Sequence, residues 1–239
     1  QALRINHANQ GFYNLDQLPI RDGLSEAWLG LENEDEAYFH QATQLEIQRH
    51  RSGEASIEMV PALIKFARWE QRIDRQDLAN VNWHLADEIL RKTGHAQDPA
   101  MIDVLLGQSD TFRSVGQHGI GLDYLKRALD LVDAQPVPDR ARHGELLVEM
   151  GDVNLLLLRP QTALDQYAEA WQALSGDDPS MIARRDALLG QPFLLAGPGV
   201  PRGKRVDQPV ENRFIGRTLL ALAGLEPRGN LRGVDLLDD

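Results

Sequence analysis

The sequence predicts a mainly α-helical protein, built as an array of antiparallel helix hairpins and followed by a short extended or β-hairpin segment. Two observations support this fold class. A small–large–small pattern of residues recurs with a constant period of 42 residues, and breakers containing Gly or Pro fall between the copies. Because repetition at a period of roughly 20–50 residues is typical of stacked helical units, the hairpins are expected to share an interior.

The second helix of each hairpin is predicted from a triplet in which a bulky residue stands four positions after one small residue and three before another. The triplets are Ala79-Trp83-Ala86, Gly121-Leu125-Ala128 and Ala163-Tyr167-Ala170, so their first residues are 42 apart. Positions separated by four and seven residues lie on one helical face. Each bulky side chain is therefore expected to lie between two points where a neighbouring helix approaches closely.

The first helix of each hairpin is predicted from residues at fixed distances before the triplets. Sixteen residues before stand Leu63, Leu105 and Leu147, and twelve before stand Ala67, Ser109 and Gly151. Pro160 separates the two helices of the last copy, because proline lacks an N–H and its ring clashes with the preceding turn. An earlier copy has Ser25 and Ala37 at the small positions but Arg21 at the leucine position. Edge repeats are often atypical, since one face meets solvent.

These patterns divide the chain into four parts. Residues 1–16 form an entry segment, and residues 17–190 form the repeat domain. Its helix pairs cover 17–50, 56–93, 99–133 and 140–175, and a closing helix runs from Met181 to Leu189. A linker rich in Pro and Gly follows over 191–212. Residues 213–239 are predicted as a β-hairpin around a polar turn, with a short helix over 214–223 as the alternative.

The residues of this pattern, best in Leu147–Ala170, resemble the tetratricopeptide repeat (TPR) family. The family signature includes a leucine, a small residue four positions later, and a second helix with an A…F/Y…A pattern. The resemblance implies a right-handed superhelical array whose first helices line a concave groove for a protein or peptide partner. The period of 42 differs from the family's usual period of about 34, which implies longer second helices or longer joints and leaves another helical-hairpin family as the alternative.

The resemblance also implies which side chains face the groove. They lie on the first helices between core positions, and they are Ile64, Arg68, Gln71, Leu106, Asp110, Arg113, Val148 and Asp152. The family's carboxylate-clamp subgroup has Lys and Asn where this chain has Ile64 and Arg68. Capture of a free peptide C-terminus is therefore not predicted.

The C-terminal stretch resembles the first two strands of a TonB-type C-terminal domain, through Gly229, Leu231, Val234 and Leu236. Together with the entry segment, it is similar to Gram-negative periplasmic repeat proteins. This resemblance implies a scaffold in the bacterial envelope, with a cytosolic adaptor or regulatory sensor as the alternative. Because the chain starts at Gln1, we expect that a preceding segment was removed. A homodimer through terminal repeats or the C-terminal hairpin is a further expectation.

The composition argues against several kinds of chemistry. The chain has no cysteine, which excludes disulfides and thiol catalysis, and its net charge of −11 disfavours nucleic-acid binding. The seven histidines lack metal-ligand spacing. The run from Gly197 to Arg205 departs from the phosphate-binding loop motif G-x-x-x-x-G-K-S/T. Pro198 stands at the position of the first glycine, and Arg205 stands at the position of the Ser/Thr. We therefore expect no catalytic residue, cofactor or metal, with an enzyme on a helical scaffold as the alternative.

Overall fold

A computed structural model describes residues 1–174 of the protein. Within that range the secondary structure is helical. The helices are α1 (Ala2–Gln10), α2 (Leu18–Gly30), α3 (Glu34–Ser52), α4 (Val60–Arg72), α5 (Gln76–Lys92), α6 (Pro99–Ser114), α7 (His118–Asp133), α8 (Arg140–Leu156) and α9 (Pro160–Leu174). Short 3-10 turns, Leu15–Gln17 and Ile57–Met59, precede α2 and α4. None of these helices is both long and apolar enough to cross a membrane.

The chain divides into two compact units at Leu131 and Val132, within α7. The first unit contains α1, the hairpins α2–α3 and α4–α5, and the pairing of α6 with most of α7. The described part of the second unit contains the hairpin α8–α9. The predicted fold class, mainly α-helical and built from helix hairpins, is confirmed. The entry segment contains a helix, α1, that its sequence pattern did not indicate.

Several predictions concern residues outside the described range. They are the closing helix from Met181 to Leu189, the linker over 191–212 and the β-hairpin over 213–239. The TonB-like resemblance rests on that last segment and therefore lies outside the described residues as well.

The hairpin turns repeat the 42-residue period in the backbone. One residue of each turn has left-handed backbone angles: Glu32, Asp74, Gly116 and Leu158, with φ of 58°, 62°, 78° and 57°. In each hairpin the next amide donates to the carbonyl five positions earlier, at 2.8–2.9 Å. This bond is the 6→1 hydrogen bond of a Schellman motif, which satisfies a carbonyl at the end of the first helix. The period is therefore a structural repeat.

Leu158 is a position where glycine should stabilise the protein. A left-handed conformation costs an L-residue about 1–2 kcal/mol, and this side chain is 81% exposed, so little packing would be lost. We expect Leu158→Gly to raise the free energy of unfolding by about 1 kcal/mol in urea denaturation. Gly116→Leu, at the equivalent turn, should lower it by a similar amount. A destabilised Leu158→Gly protein would contradict this account.

Small residues at equivalent positions allow the two helices of a hairpin to touch. Ser25 Oγ donates to Ala37 O at 3.0 Å, and Ser109 Oγ donates to Gly121 O at 3.0 Å. All four of these residues are buried. The same bond thus recurs two periods apart, and in each case it joins the first helix of a hairpin to the second.

The hairpins differ in the chemistry of their interiors. The buried apolar residues of α2–α3 are Ala37, Leu45 and Ile47, whereas its buried polar residues are Arg21, Ser25, His40, Gln41 and Gln44. The buried apolar residues of α4–α5 are Val60, Leu63, Ile64, Phe66, Ala67, Trp69, Ala79, Trp83, Ala86, Ile89 and Leu90. Arg21, at the position that is leucine elsewhere, donates from Nε to Gln17 Oε1 at 2.8 Å. The buried interior of the first hairpin is therefore more polar than that of the second.

Candidate binding groove

The first helices α2, α4 and α6 border a groove in the first unit, with a cavity of about 710 Å³. It is lined by Asp22, Glu26, Gln41, Val60, Pro61, Ile64, Lys65, Arg68, Trp69, Arg72, Ala100 and Asp103. Val60, Ile64 and Trp69 are 2%, 8% and 6% exposed, so they form an apolar floor. An apolar concave surface with a few polar groups at fixed positions is typical of a binding site.

Beside this floor, ion pairs join α4 to α2 and to α6. The pairs are Lys65 with Asp22, Arg68 with Asp103, and Arg72 with Glu26. The N–O distance is 2.6 Å for Lys65–Asp22 and 3.0 Å for Arg68–Asp103. All three cations belong to α4, whereas the carboxylates belong to α2 and α6. Because these side chains are about half exposed, each pair contributes on the order of 0–1 kcal/mol, and charged ligand groups can compete with it.

Asp22 accepts hydrogen bonds from three side chains of its surroundings. Lys65 Nζ donates at 2.6–2.7 Å, Gln44 Nε2 at 2.8 Å and Gln41 Nε2 at 3.2 Å. Partial burial raises the pKa of Asp22, but the hydrogen bonds from Lys65 and Gln44 and the charge of Lys65 outweigh it. The pKa of Asp22 therefore lies below its ordinary value. At neutral pH this carboxylate is ionised and fixed in place.

The predicted groove residues of α4 have two different surroundings. Ile64 and Arg68 line the cavity. Gln71 instead ties α4 to α6, because its Nε2 donates to Gly107 O at 2.9 Å and to Thr111 Oγ1 at 3.0 Å. Gln71 thus contributes to the spacing of the two helices that border the groove.

The predicted groove residues of α6 lie outside the cavity lining. Leu106 is partly buried on α6. Asp110 and Arg113 pair with each other along the same helix, with an N–O distance of 3.2 Å. A pair of this kind, three residues apart on one helix surface, supports the helix by a few tenths of a kcal/mol. For these three residues a role in binding stays a prediction.

The predicted residues of α8 belong to the second unit. Val148 is 7% exposed and therefore packs in the interior of that unit. Asp152 accepts a hydrogen bond from the hydroxyl of Tyr167 at 2.6 Å. Burial, together with Asp152, raises the pKa of Tyr167 above its ordinary value. The ring of Tyr167 also covers Gly151, where an added Cβ would lie 2.5 Å from its Cε1 atom.

Ten lining residues were not among the predicted groove residues, and five of these ten are charged. The charged ones are Asp22, Glu26, Lys65, Arg72 and Asp103. Part of the signal was present in the sequence, because Lys65, Arg68 and Arg72 are spaced by three and four residues and so share one face of α4. Their carboxylate partners lie on other helices, and sequence spacing within one helix cannot identify them.

Glu70 is a buried carboxylate on α4, with no exposed surface. Its Oε1 accepts from the hydroxyl of Tyr38 at 3.2 Å, and its Oε2 accepts from Asn82 Nδ2 at 2.7 Å. Burial raises the pKa of Glu70 despite these two hydrogen bonds. Its bond to Asn82 joins the two helices of the hairpin α4–α5, and its bond to Tyr38 joins this hairpin to α3.

Within residues 1–174, no group of three or more His, Asp or Glu side chains is placed to hold a metal ion. The charged side chains of the groove are instead paired with one another, as described above. This arrangement suits recognition of a ligand surface by apolar contact and exchange of ion pairs.

No protein-family model and no curated protein matches this sequence. Solved structures do match. A Podosopora anserina protein, described as a kinesin light chain with nearly identical TPR-like repeats, superposes with a TM-score of 0.58 at 15% identity, over 72% of this chain and 84% of that chain. BtubC (BKLC) from P. vanneervenii superposes with a TM-score of 0.50 at 14% identity, over 80% and 70% of the two chains.

These structural similarities, at low sequence identity, establish the fold. The chain has a TPR-type helical repeat fold, as the residues of its repeated pattern predicted. Function itself depends on the site that the fold carries.

Proposed function

We propose that this protein is a non-catalytic scaffold that binds a segment of a partner protein in the groove between α2, α4 and α6. The observation that carries the proposal is the combination of an apolar floor with charged walls in a cavity of about 710 Å³. A TPR-type fold supports it, because such repeats provide extended surfaces for protein partners. The partner segment would place apolar side chains over Ile64 and Trp69 and charged groups beside Arg68.

The binding experiment uses a random peptide library displayed on phage, selected on the purified protein. We expect peptides enriched on the wild type to lose roughly tenfold or more in affinity for Arg68→Ala and for Ala100→Trp, which fills the groove. Arg68 lines the cavity and is paired with Asp103. Affinity is measured by fluorescence anisotropy with labelled synthetic peptides.

Arg91→Ala provides a matched control for this experiment. Arg91 lies on α5, pairs with Asp87, and is 49% exposed, similar to the 56% of Arg68. Its replacement should leave peptide affinity unchanged. Peptides that bind wild type, Arg68→Ala and Ala100→Trp equally would refute the groove as the binding surface.

We further propose that the scaffold works in the bacterial periplasm, as a monomer or as a homodimer through its terminal repeats or C-terminal hairpin. The support is the resemblance of Gly229, Leu231, Val234 and Leu236 to a TonB-type domain. Osmotic-shock fractionation, with an antibody against the native protein, tests the location. Recovery with cytoplasmic markers would favour a cytosolic adaptor instead.

A further inference from the structure

We propose that the hairpin α2–α3 is an electrostatic latch on the groove. In this proposal α2–α3 opens from α4–α5 as a local unit, at a lower free energy than α4–α5 itself unfolds, and ion pairs between the two hairpins control the opening. The opening is a property of the fold alone. Its consequence for ligand access rests on the proposed function.

Three ion pairs join these two hairpins, and all three have the same polarity. The pairs are Asp22 with Lys65, Glu26 with Arg72, and Glu34 with Arg75. Every carboxylate lies on α2–α3, and every cation lies on or directly beside α4–α5. The six side chains are 39–56% exposed. Because salt screens exposed charges over about 10 Å at 0.1 M and about 3 Å at 1 M, this attraction weakens as ionic strength rises.

Apolar burial inside α2–α3 is small. Its buried apolar side chains are Ala37, Leu45 and Ile47, against eleven in α4–α5. Since apolar burial is the main source of folding stability, a segment with little of it opens at a lower free energy than its neighbours. Arg21 adds to this, because the residue is only 6% exposed and the hydrogen bonds described for its guanidinium go to the neutral side chain of Gln17 and to His40.

Tyr38 of α3 contacts α4 where the two hairpins meet. Its ring centroid lies 5.4 Å from that of Phe66 and 5.8 Å from that of Trp69, and its hydroxyl donates to Glu70. These two ring contacts and the hydrogen bond hold α3 against α4. The joint after α3 contains Gly53, with φ of 87°, which can absorb a change of backbone direction when the hairpin moves.

Opening would change the charge of the groove. Asp22, Glu26 and Gln41 line the cavity from the α2–α3 side, whereas Lys65 and Arg72 line it from α4. When α2–α3 moves away, the two carboxylates leave and the two cations lose their partners. In the closed state, α2 therefore competes for the same cations that a partner carboxylate would use.

The experiment measures hydrogen exchange by mass spectrometry on the whole chain without any ligand. We expect amides of α2 and α3 to exchange about tenfold faster at about 500 mM than at about 20 mM NaCl, whereas amides of α4 and α5 change less than about twofold. The triple variant Lys65→Gln, Arg72→Gln, Arg75→Gln should give the same acceleration at low salt. These substitutions lie outside α2 and α3, so the intrinsic exchange rates of the monitored amides are unaffected.

The control is the double variant Arg91→Gln, Lys92→Gln. It removes two ion pairs within α5, to Asp87 and Glu88, and none between hairpins. It should leave exchange in α2 and α3 unchanged. The latch is overturned if α2–α3 and α4–α5 open with one common free energy, or if neither salt nor the triple variant accelerates α2–α3 selectively. Because no ligand is present, failure of peptide selection would not affect this result.

Discussion

Replacing Gly107 with alanine is expected to lower the free energy of unfolding by about 3 kcal/mol. An added Cβ on Gly107 would lie 2.1 Å from Cε2 and 2.2 Å from Cζ2 of Trp83. The indole of Trp83 has no exposed surface, so it cannot move aside into solvent. Overpacking of this kind forces shifts of side chain and backbone and typically costs about 1–3 kcal/mol, sometimes more. Urea denaturation followed by circular dichroism measures the change.

Gly23 offers a matched control for this substitution. It stands two periods before Gly107, in the interior of α2, and an added Cβ there meets nothing within 4 Å. Gly23→Ala should therefore stabilise the protein by up to about 1 kcal/mol, since alanine favours a helix over glycine. If Gly107→Ala were as stable as Gly23→Ala, the close approach of α6 to Trp83 would be wrong.

Trp83→Ala is expected to lower the free energy of unfolding by about 3–5 kcal/mol, because it leaves a cavity where a large aromatic side chain was buried. Trp83 fills the space between the small residues Ala79 and Ala86 and covers the backbone of Gly107. Its indole N–H has no hydrogen-bond partner among residues 1–174, so the expected loss is one of packing. Trp83→Phe, which keeps a ring, should cost less.

Val81→Ala is the control for the tryptophan variant. Val81 lies on the same helix and is 63% exposed, so its truncation should change stability by less than about 0.5 kcal/mol. The two predictions can also be tested together. Gly107→Ala made in the Trp83→Ala protein should cost much less than in the wild type, because the clashing ring is gone. Additive effects of the two substitutions would contradict the described contact.

The repeat could be predicted from sequence because its cause is local. A small residue at Ala79, Gly121 or Ala163, with a bulky residue one turn later, marks the contact face of a helix. The sequence also indicated that the first copy is atypical, since Arg21 replaces the leucine of the other copies. The helix α1 gave no such signal, because none of its residues is buried and no apolar face is required.

The groove was predictable only in part because its polar contacts join different hairpins. Ile64 and Arg68 were found through the position of α4 in the repeat. The pairing of Lys65 with Asp22 depends on which helices become neighbours, and 43 residues separate the two. Gly107 was missed for the same reason. From sequence alone a glycine inside a helix only indicates a less stable helix, whereas the structure shows that the ring of Trp83 leaves no room for a side chain at this position.

The left-handed turn residues Glu32, Asp74, Gly116 and Leu158 have a consequence for how the number of repeats can change in evolution. Every hairpin reverses its chain at an equivalent codon, so recombination between two copies would insert or delete a complete hairpin. The reading frame and the turn geometry would both survive the event. Array length can therefore vary by whole hairpins, whereas an indel inside a helix that is not close to a whole number of turns would place the following side chains on another helical face.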